Sequence, residues 1–139
     1  MTKTIHFELV SPEQKLVSED VHMAVMPGDA GAFGVMAGHA SLVASLGNGV
    51  VRLYKQKDDS APRQIFIAGG FADVTAEKCV VLAEEAVAVK DLESGKLSQR
   101  LRDLEEDFAT AKEKADKDRI RAKIVVVKAM LSAAQTAAA

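Results

Sequence analysis

Residues 27–49 read PGDAGAFGVMAGHASLVASLGNG, a stretch in which six glycines and one histidine interrupt an otherwise small and apolar run. Glycine adopts backbone angles with positive φ and lets a second backbone approach closely, so these glycines predict a rigid, tightly turned loop. The stretch lacks the Lys-Ser/Thr ending of a phosphate-binding loop, and its glycines do not match the dinucleotide-binding fingerprint. We therefore interpret it as a docking surface rather than a nucleotide site.

The segments on both sides of this stretch are short and have the period of β-strands. Residues 5–9 and 21–25 alternate in polarity, which predicts that their odd-numbered side chains face the core. Gly69 and Gly70 are predicted to end a strand sharply. Strands are predicted at 5–9, 15–18, 21–25, 50–55, 64–68, 71–75 and 79–83. Because no helix-length segment separates them, the spacing favours an antiparallel sandwich or barrel.

The glycine and proline content and the period of apolar residues change after Val87. Eight of the nine glycines and all three prolines precede that residue, and the apolar period then lengthens from two to about three and a half. Apolar residues step by four and three along two helical stripes: Leu97, Leu101, Leu104, Phe108, Ala111, and Ile120, Ile124, Val127, Leu131, Ala134. We predict a β domain over residues 1–87 and a two-helix hairpin over 88–139, with Asp91 as the first cap and a turn near 113–118.

Composition excludes several classes of function. A net charge of -2 argues against a general nucleic-acid binder. Cys79 is the only cysteine, so the chain holds neither an internal disulfide nor a multi-thiolate metal site, and its apolar neighbours predict a buried strand thiol. The first residues do not resemble a signal peptide, and no stretch approaches the ~20 apolar residues of a membrane span. We expect the protein to work in the compartment where it is made.

His39 is the one residue of the glycine-rich stretch suited to acid–base chemistry. A catalytic histidine needs an orienting carboxylate and a nucleophile, for which Asp29 and Ser41 are the only local candidates. No recognisable motif joins the three, so we favour a structural histidine in a turn. The three histidines of the chain lack metal-ligand spacing, and no metal site is predicted.

Charge is sorted between the two predicted helices. Acidic residues prevail over residues 91–107, whereas basic residues prevail over 112–128. An antiparallel hairpin would bring these charges together, but exposed ion pairs stabilise by only ~0.2–1 kcal/mol each. We therefore expect a helical arm that can detach, with Lys117, Arg119, Arg121 and Lys123 able to dock on an acidic partner.

Five fragments in order carry a resemblance to a known family. They are LVSPEQ (9–14), PGDAGAFGV (27–35), GHASLVASLGNG (38–49), IAGGFADV (67–74) and VLAEEAV (81–87). With the two-helix tail, the chain resembles the epsilon subunit of bacterial F-type ATP synthase. The resemblance implies an α+β fold, with an antiparallel β-sandwich of about ten strands before an α-helical hairpin. It also implies a non-catalytic central-stalk (rotor) subunit that couples proton-driven c-ring rotation through the gamma subunit to ATP synthesis.

The resemblance also implies partners and their contact residues. The gamma subunit and the c-ring would dock on the sandwich, at Gly28, Asp29, Ala30, Gly31, Ala32 and Phe33 with His39 nearby. An extended hairpin would place Arg119, Arg121, Lys123 and Lys128 on the beta subunit of the alpha/beta catalytic head and inhibit ATP hydrolysis. Ala32 stands where many relatives have an acidic residue, and Ala37 replaces a common proline. The expected location is the cytoplasmic side of the bacterial inner (plasma) membrane, peripheral and held through the complex.

Some family members bind ATP in the folded hairpin through a motif whose equivalent here spans residues 92–97, LESGKL. Glu93 and Lys96 keep the charges of the motif but lose its reach and its bidentate guanidinium. Gly95 loosens the first helical turn. These departures argue against ATP binding, and no cofactor is expected. The alternative to an inhibitory subunit is a purely structural coupling subunit whose hairpin stays folded.

Overall fold

The computed structural model describes residues 3–138, and the chain divides into two compact units, Met1–Ala88 and Val89–Ala139. Residues 3–138 form eight strands, one 3₁₀ turn and two helices. The strands are β1 (Ile5–Val10), β2 (Lys15–Val21), β3 (Met23–Gly28), β4 (Gly31–Met36), β5 (Leu42–Tyr54), β6 (Arg63–Val74), β7 (Lys78–Ala83) and β8 (Ala86–Ala88). The boundary predicted after Val87 falls inside β8.

The strands follow the order β2-β1-β7-β6-β5-β3-β4, and β8 also pairs with β6. Every strand pairing within residues 3–138 is antiparallel except that of β1 with β7, which is parallel. The antiparallel prediction therefore holds for all pairs but this one. Parallel neighbours cannot be joined by a tight turn, and here most of the first unit lies between the two strands in sequence.

The two long strands change the face that they turn to the main core cluster halfway along. The cluster contains Leu46, then Val51 and Leu53 on β5, and Ile65 and Ile67, then Ala72 and Val74 on β6. Before the change, β6 also buries Phe66 and Ala68 on its opposite face. Because successive side chains of a strand point to opposite faces, each strand must bend where the parity changes. The changes coincide with Gly47 and Gly49 on β5 and with Gly69 and Gly70 on β6. Each long strand thus crosses from one layer of the sandwich to the other. The structure has eight strands where the resemblance implies about ten, and dividing β5 and β6 at their bends accounts for the difference.

Gly69 and Gly70 do not end a strand, as the sequence predicted. Strand β6 remains paired with β5 on both sides of them, since Ala68 pairs with Asn48 and Gly70 with Leu46. Both glycines have positive φ, 72° and 140°. Only glycine adopts such angles without strain, so the pair bends the strand and leaves its ladder continuous.

The glycine-rich stretch is a strand and a turn rather than the predicted loop. Pro27 pairs with Ala32 and Gly28 with Gly31, so β3 and β4 form a hairpin whose turn is Asp29 and Ala30. Residues 42–49 then open β5. Glycine and alanine are compatible with an edge strand, and the apolar residues between them follow the strand period, which the glycine content concealed.

The predicted inward face of residues 21–25 is wrong by one position. Val21 is buried as the last residue of β2, but β3 then buries Ala24 and Met26 and leaves Met23 half-buried. His22 forms a bend between the strands, and its N–H donates to the carbonyl of Tyr54 at 2.8 Å. This bend shifts the alternation by one residue.

The second unit begins with a 3₁₀ turn at Val89–Asp91, followed by α1 (Ser94–Thr110) and α2 (Lys114–Ala138). The two helices pack against one another. Asp91 lies in the 3₁₀ turn and does not cap α1, whose N-cap is Glu93 without a side-chain cap hydrogen bond. The connection lies at residues 111–113 and overlaps the predicted turn only at residue 113, because α1 ends at Thr110 and Ala111, its C-cap, has extended backbone angles.

Candidate docking surfaces

The turn between β3 and β4 forms an exposed tip. Asp29 and Ala30 are exposed at its end, and the Asp29 N–H donates to the carbonyl of Ser45 on β5 at 3.1 Å. A Cβ on Gly28 would lie 2.7 Å from the carbonyl oxygen of Gly31 and 2.9 Å from the Phe33 ring. The tip is therefore too tightly packed for a side chain at position 28. The structure brings together Gly28, Asp29, Ala30, Gly31, Ala32 and Phe33 as one surface.

His39 does not lie beside this tip, contrary to the expectation from the sequence. It follows the far end of β4, whose six residues span roughly 20 Å at ~3.3 Å per residue. Its Nδ1 lies 2.6 Å from the carbonyl oxygen of Ala40, and its N–H donates to Met36 at 3.2 Å. Asp29 is at the opposite end of the strand, so it cannot orient His39. The hypothetical catalytic group therefore lacks its carboxylate.

A strip of apolar side chains crosses the outer face of one layer. Val10, Leu82 and Phe71 are cross-strand neighbours on β1, β7 and β6, and Val43 on the adjacent strand β5 is diagonal to Phe71 and paired with Asp73. The exposed fractions are 71% for Val43, 56% for Phe71 and 53% for Leu82. We call these four residues the apolar strip. A contiguous exposed apolar surface on a folded domain marks a site of association.

Val10, Phe71 and Leu82 of the apolar strip line a cleft of about 350 Å³. Pro12 and Glu84 are also part of its lining. Sequence reasoning missed this surface, although β7 carried a signal of it. Cys79, Val81 and Ala83 point to the core, yet Leu82 between them is also apolar. Apolar residues at both parities indicate a strand covered on both faces, and here the outer face is exposed.

Beside the strip, the same layer carries a charged cluster around Glu8. The Glu8 carboxylate lies 3.3 Å from Lys15 Nζ, 3.6 Å from Lys78 Nζ and 3.4 Å from His6 Nε2. Burial alone would raise the pKa of Glu8, but the hydrogen bond and charge of Lys15, with Lys78 and His6, lower it below its usual value. A lowered carboxyl pKa stabilises the fold at neutral pH, and the contribution is lost as pH falls through that pKa.

Cys79 is fully buried, as predicted. Its Sγ lies 3.7 Å from the Met26 sulfur, and burial, with the nearby Asp73 charge, raises the thiol pKa to about 12. The thiolate is the nucleophilic form, so this thiol is unreactive at neutral pH. Cys79 therefore belongs to the core.

The basic residues of α2 are presented in two ways. Arg119 is 2.9 Å from Asp116 and Arg121 is 3.7 Å from Asp118, both as pairs three residues apart along the helix. Lys123 and Lys128 are exposed. Exposed pairs of this kind stabilise by at most ~1 kcal/mol. A carboxylate on a partner can therefore displace them.

The residues of the weakened ATP motif pair with one another. Lys96 Nζ lies 3.1 Å from Glu93 Oε2, and both side chains are largely exposed. Gly95 between them is exposed, with no atom within 4 Å of the position that a Cβ would occupy. The charges of Glu93 and Lys96 thus neutralise each other at the first turn of α1.

The fold and these surfaces define a class of protein, one that combines an N-terminal β-sandwich with a C-terminal helical hairpin and exposes apolar side chains on its sheet. A family model described as ATP synthase, Delta/Epsilon chain, beta-sandwich domain matches residues 4–89. The chain is 39% identical over 134 residues to the ATP synthase epsilon chain of Rhodospirillum centenum, covering 94% of this chain and 92% of the relative. It is likewise 39% identical over 134 residues to that of Maricaulis maris, covering 96% and 98%. The chain belongs to the ATP synthase delta/epsilon family, whose epsilon chains are non-catalytic subunits of the complex.

Two solved structures share the fold. A chain of the Euglena gracilis mitochondrial ATP synthase superposes with a TM-score of 0.78 at 22% identity, covering 94% of this chain and 81% of that one. A chain of the Tetrahymena thermophila mitochondrial ATP synthase central stalk/c-ring structure gives 0.67 at 11% identity, covering 96% and 98%. These likenesses confirm the predicted sandwich followed by two helices. No helix within residues 3–138 combines the length and apolar character needed to cross a membrane.

Proposed function

We propose that this protein is a rotor subunit of a bacterial F-type ATP synthase, peripheral to the inner membrane on its cytoplasmic side. In this role it couples c-ring rotation through the gamma subunit to ATP synthesis. The observation that carries the proposal is the apolar strip, with Val43 and Phe71 more than half exposed. A subunit that works by association needs such a surface, and the epsilon chains that match nearly the whole length act within a complex.

The two docking surfaces suit different partners. The apolar strip and its cleft offer a broad apolar surface, which fits the gamma subunit as a permanently associated partner. The tip exposes Asp29, an acidic residue, and Ala30, which fits the polar loops of the c-ring. His39 is absent from this second contact, since it lies at the other end of β4.

The hairpin is the proposed regulatory element. Extended along gamma, α2 would bring Arg119, Arg121, Lys123 and Lys128 to an acidic region of the catalytic head, where they would inhibit ATP hydrolysis. All four side chains are exposed, and the intrahelical pairs of the two arginines are weak enough to exchange. The mutual pairing of Glu93 and Lys96 favours regulation without bound ATP, so no cofactor is proposed.

Removing the hairpin tests this role directly. We expect the assembled enzyme with a chain ending at Ala88 to hydrolyse ATP about fivefold or more faster than with the full chain, since regulatory couplings are typically of that size. Ending at Ala88 keeps β8 paired with β6. The measurement is steady-state ATP hydrolysis by the reconstituted complex at matched subunit occupancy.

Charge reversals on α2 test the same role, with a reversal on the sandwich as the matched control. Lys123→Glu with Lys128→Glu should raise hydrolysis toward the level of the truncated chain, whereas Lys57→Glu, an exposed reversal on the sandwich, should leave it unchanged. Equal hydrolysis with full and truncated chains would contradict inhibition and favour the purely structural coupling role.

A further inference from the structure

Phe108 near the end of α1 lies between two cations of α2. The Phe108 ring centroid is 5.3 Å from the Arg121 guanidinium carbon and 5.7 Å from Lys117 Nζ. A cation within about 6 Å of an aromatic ring face is attracted by the ring quadrupole. Lys117 and Arg121 are four residues apart and therefore share one face of α2. Two charges of one helix thus hold a single ring of the other, close to their connection.

These contacts divide the basic residues of α2 into two sets. At ~100° per residue, Arg119 and Lys123 lie on the face opposite Lys117 and Arg121. Arg119, Arg121 and Lys123 are exposed, whereas Lys117 is half-buried. Arg121 also lies 3.7 Å from the Asp118 carboxylate while it contacts the ring. A closed hairpin therefore withholds Lys117 and leaves the other three accessible.

We propose that Phe108 is the latch of the hairpin, and that its ring competes with an acidic partner for Lys117. A partner carboxylate that binds the Lys117 ammonium draws it away from the ring, so closure of the hairpin and binding of the partner oppose each other. Such linkage is reciprocal, because whatever weakens the latch favours the partner by the same factor. The identity of the acidic partner rests on the proposed function, but the latch itself does not.

Native-state amide hydrogen exchange on the isolated full chain tests the latch. Most of the stability of a helix in a protein comes from tertiary packing, so the amides of the 17-residue α1 exchange when the hairpin opens. Phe108→Leu keeps an apolar side chain but removes the ring, and we expect it to raise exchange in α1 about fivefold. Phe108→Tyr keeps the ring and should exchange like the parent chain.

A double-mutant cycle separates the latch from ordinary packing. Lys117→Met removes the charge and should raise exchange severalfold in the parent, but should add little in the Phe108→Leu background. Lys123→Met on the opposite face serves as the control and should change nothing. Equal effects of Lys117→Met in both backgrounds, or equal opening by Phe108→Tyr and Phe108→Leu, would overturn the latch. The isolated chain reports on it even if the hydrolysis experiment shows no inhibition.

Discussion

Gly70→Ala is expected to destabilise the sandwich by about 3 kcal/mol or more, or to prevent it from folding. Gly70 has a φ of 140°, and a Cβ there would lie 2.1 Å from the carbonyl oxygen of Leu82. That carbonyl belongs to β7, which is paired on both sides with β6 and β1 and cannot move away. Urea denaturation of the purified chain measures the loss as a lower unfolding midpoint at unchanged slope.

Gly31→Ala provides the matched control for this prediction. Gly31 also has positive φ, 128°, but a Cβ at that position meets no atom within 4 Å. Only backbone strain remains, and we expect a loss of about 1–2 kcal/mol. If both substitutions cost the same, the close approach of β6 to β7 would not be what requires glycine at position 70.

Phe71→Glu is expected to weaken binding of the chain to the gamma subunit by about 30-fold or more, the effect of losing an interface hot spot. Phe71 is 56% exposed between Leu82 and β5 in the apolar strip, so a charge there would be desolvated on docking without a partner to compensate it. Titration of labelled chain with the purified gamma subunit gives the dissociation constant.

Met36→Glu is the corresponding control. Met36 is 45% exposed but lies on β4, at the end away from the tip and outside the apolar strip. It introduces the same charge with a similar change in volume, and the affinity for gamma should remain within about twofold. Circular dichroism and thermal melting establish that both variants are folded. A comparable loss of affinity in both would contradict the assignment of the strip as the gamma contact.

The sequence predicted the elements whose period is regular. Ile5, Phe7 and Leu9 are buried on alternate positions, and Leu97 and Val127 are buried on the two predicted helical stripes. In these segments a single face contacts the core, so the pattern of polar and apolar residues indicates which side chains are buried. The sandwich followed by two helices could be predicted for this reason, together with the order of the family fragments.

The hydrophobic period gave wrong predictions where the backbone bends within a run of residues. The bend at His22 shifts the inward face of β3 by one residue, and the glycines at 69 and 70 bend β6 without ending it. The composition around His22 does not distinguish a bend from a continuous strand. Glycine occurs at bends and at strand ends alike, so Gly69 and Gly70 do not distinguish the two either. The parallel pairing of β1 with β7 depends on residues far apart in sequence and has no local signal.

The candidate sites also differ in whether the sequence could predict them. The tip, from Gly28 to Phe33, could be predicted because its residues are contiguous in the chain. The prediction that His39 lies beside the tip was wrong, because it treated the intervening residues as a compact loop. They form the extended strand β4. The apolar strip joins residues of four strands, and only its cross-strand register brings Val10, Leu82 and Phe71 together. Sequence alone does not supply that register.

The central claim, that this chain docks on the rotor through the apolar strip, is tested most directly by site-specific photo-cross-linking within the assembled synthase. A benzophenone side chain replaces Phe71, and the cross-linked partner is identified by mass spectrometry, with the same group at Met36 as the control. We predict a cross-link from position 71 to the gamma subunit and a much weaker one from position 36. A cross-link from position 71 to a stator or catalytic subunit, or equal yields from both positions, would contradict the claim.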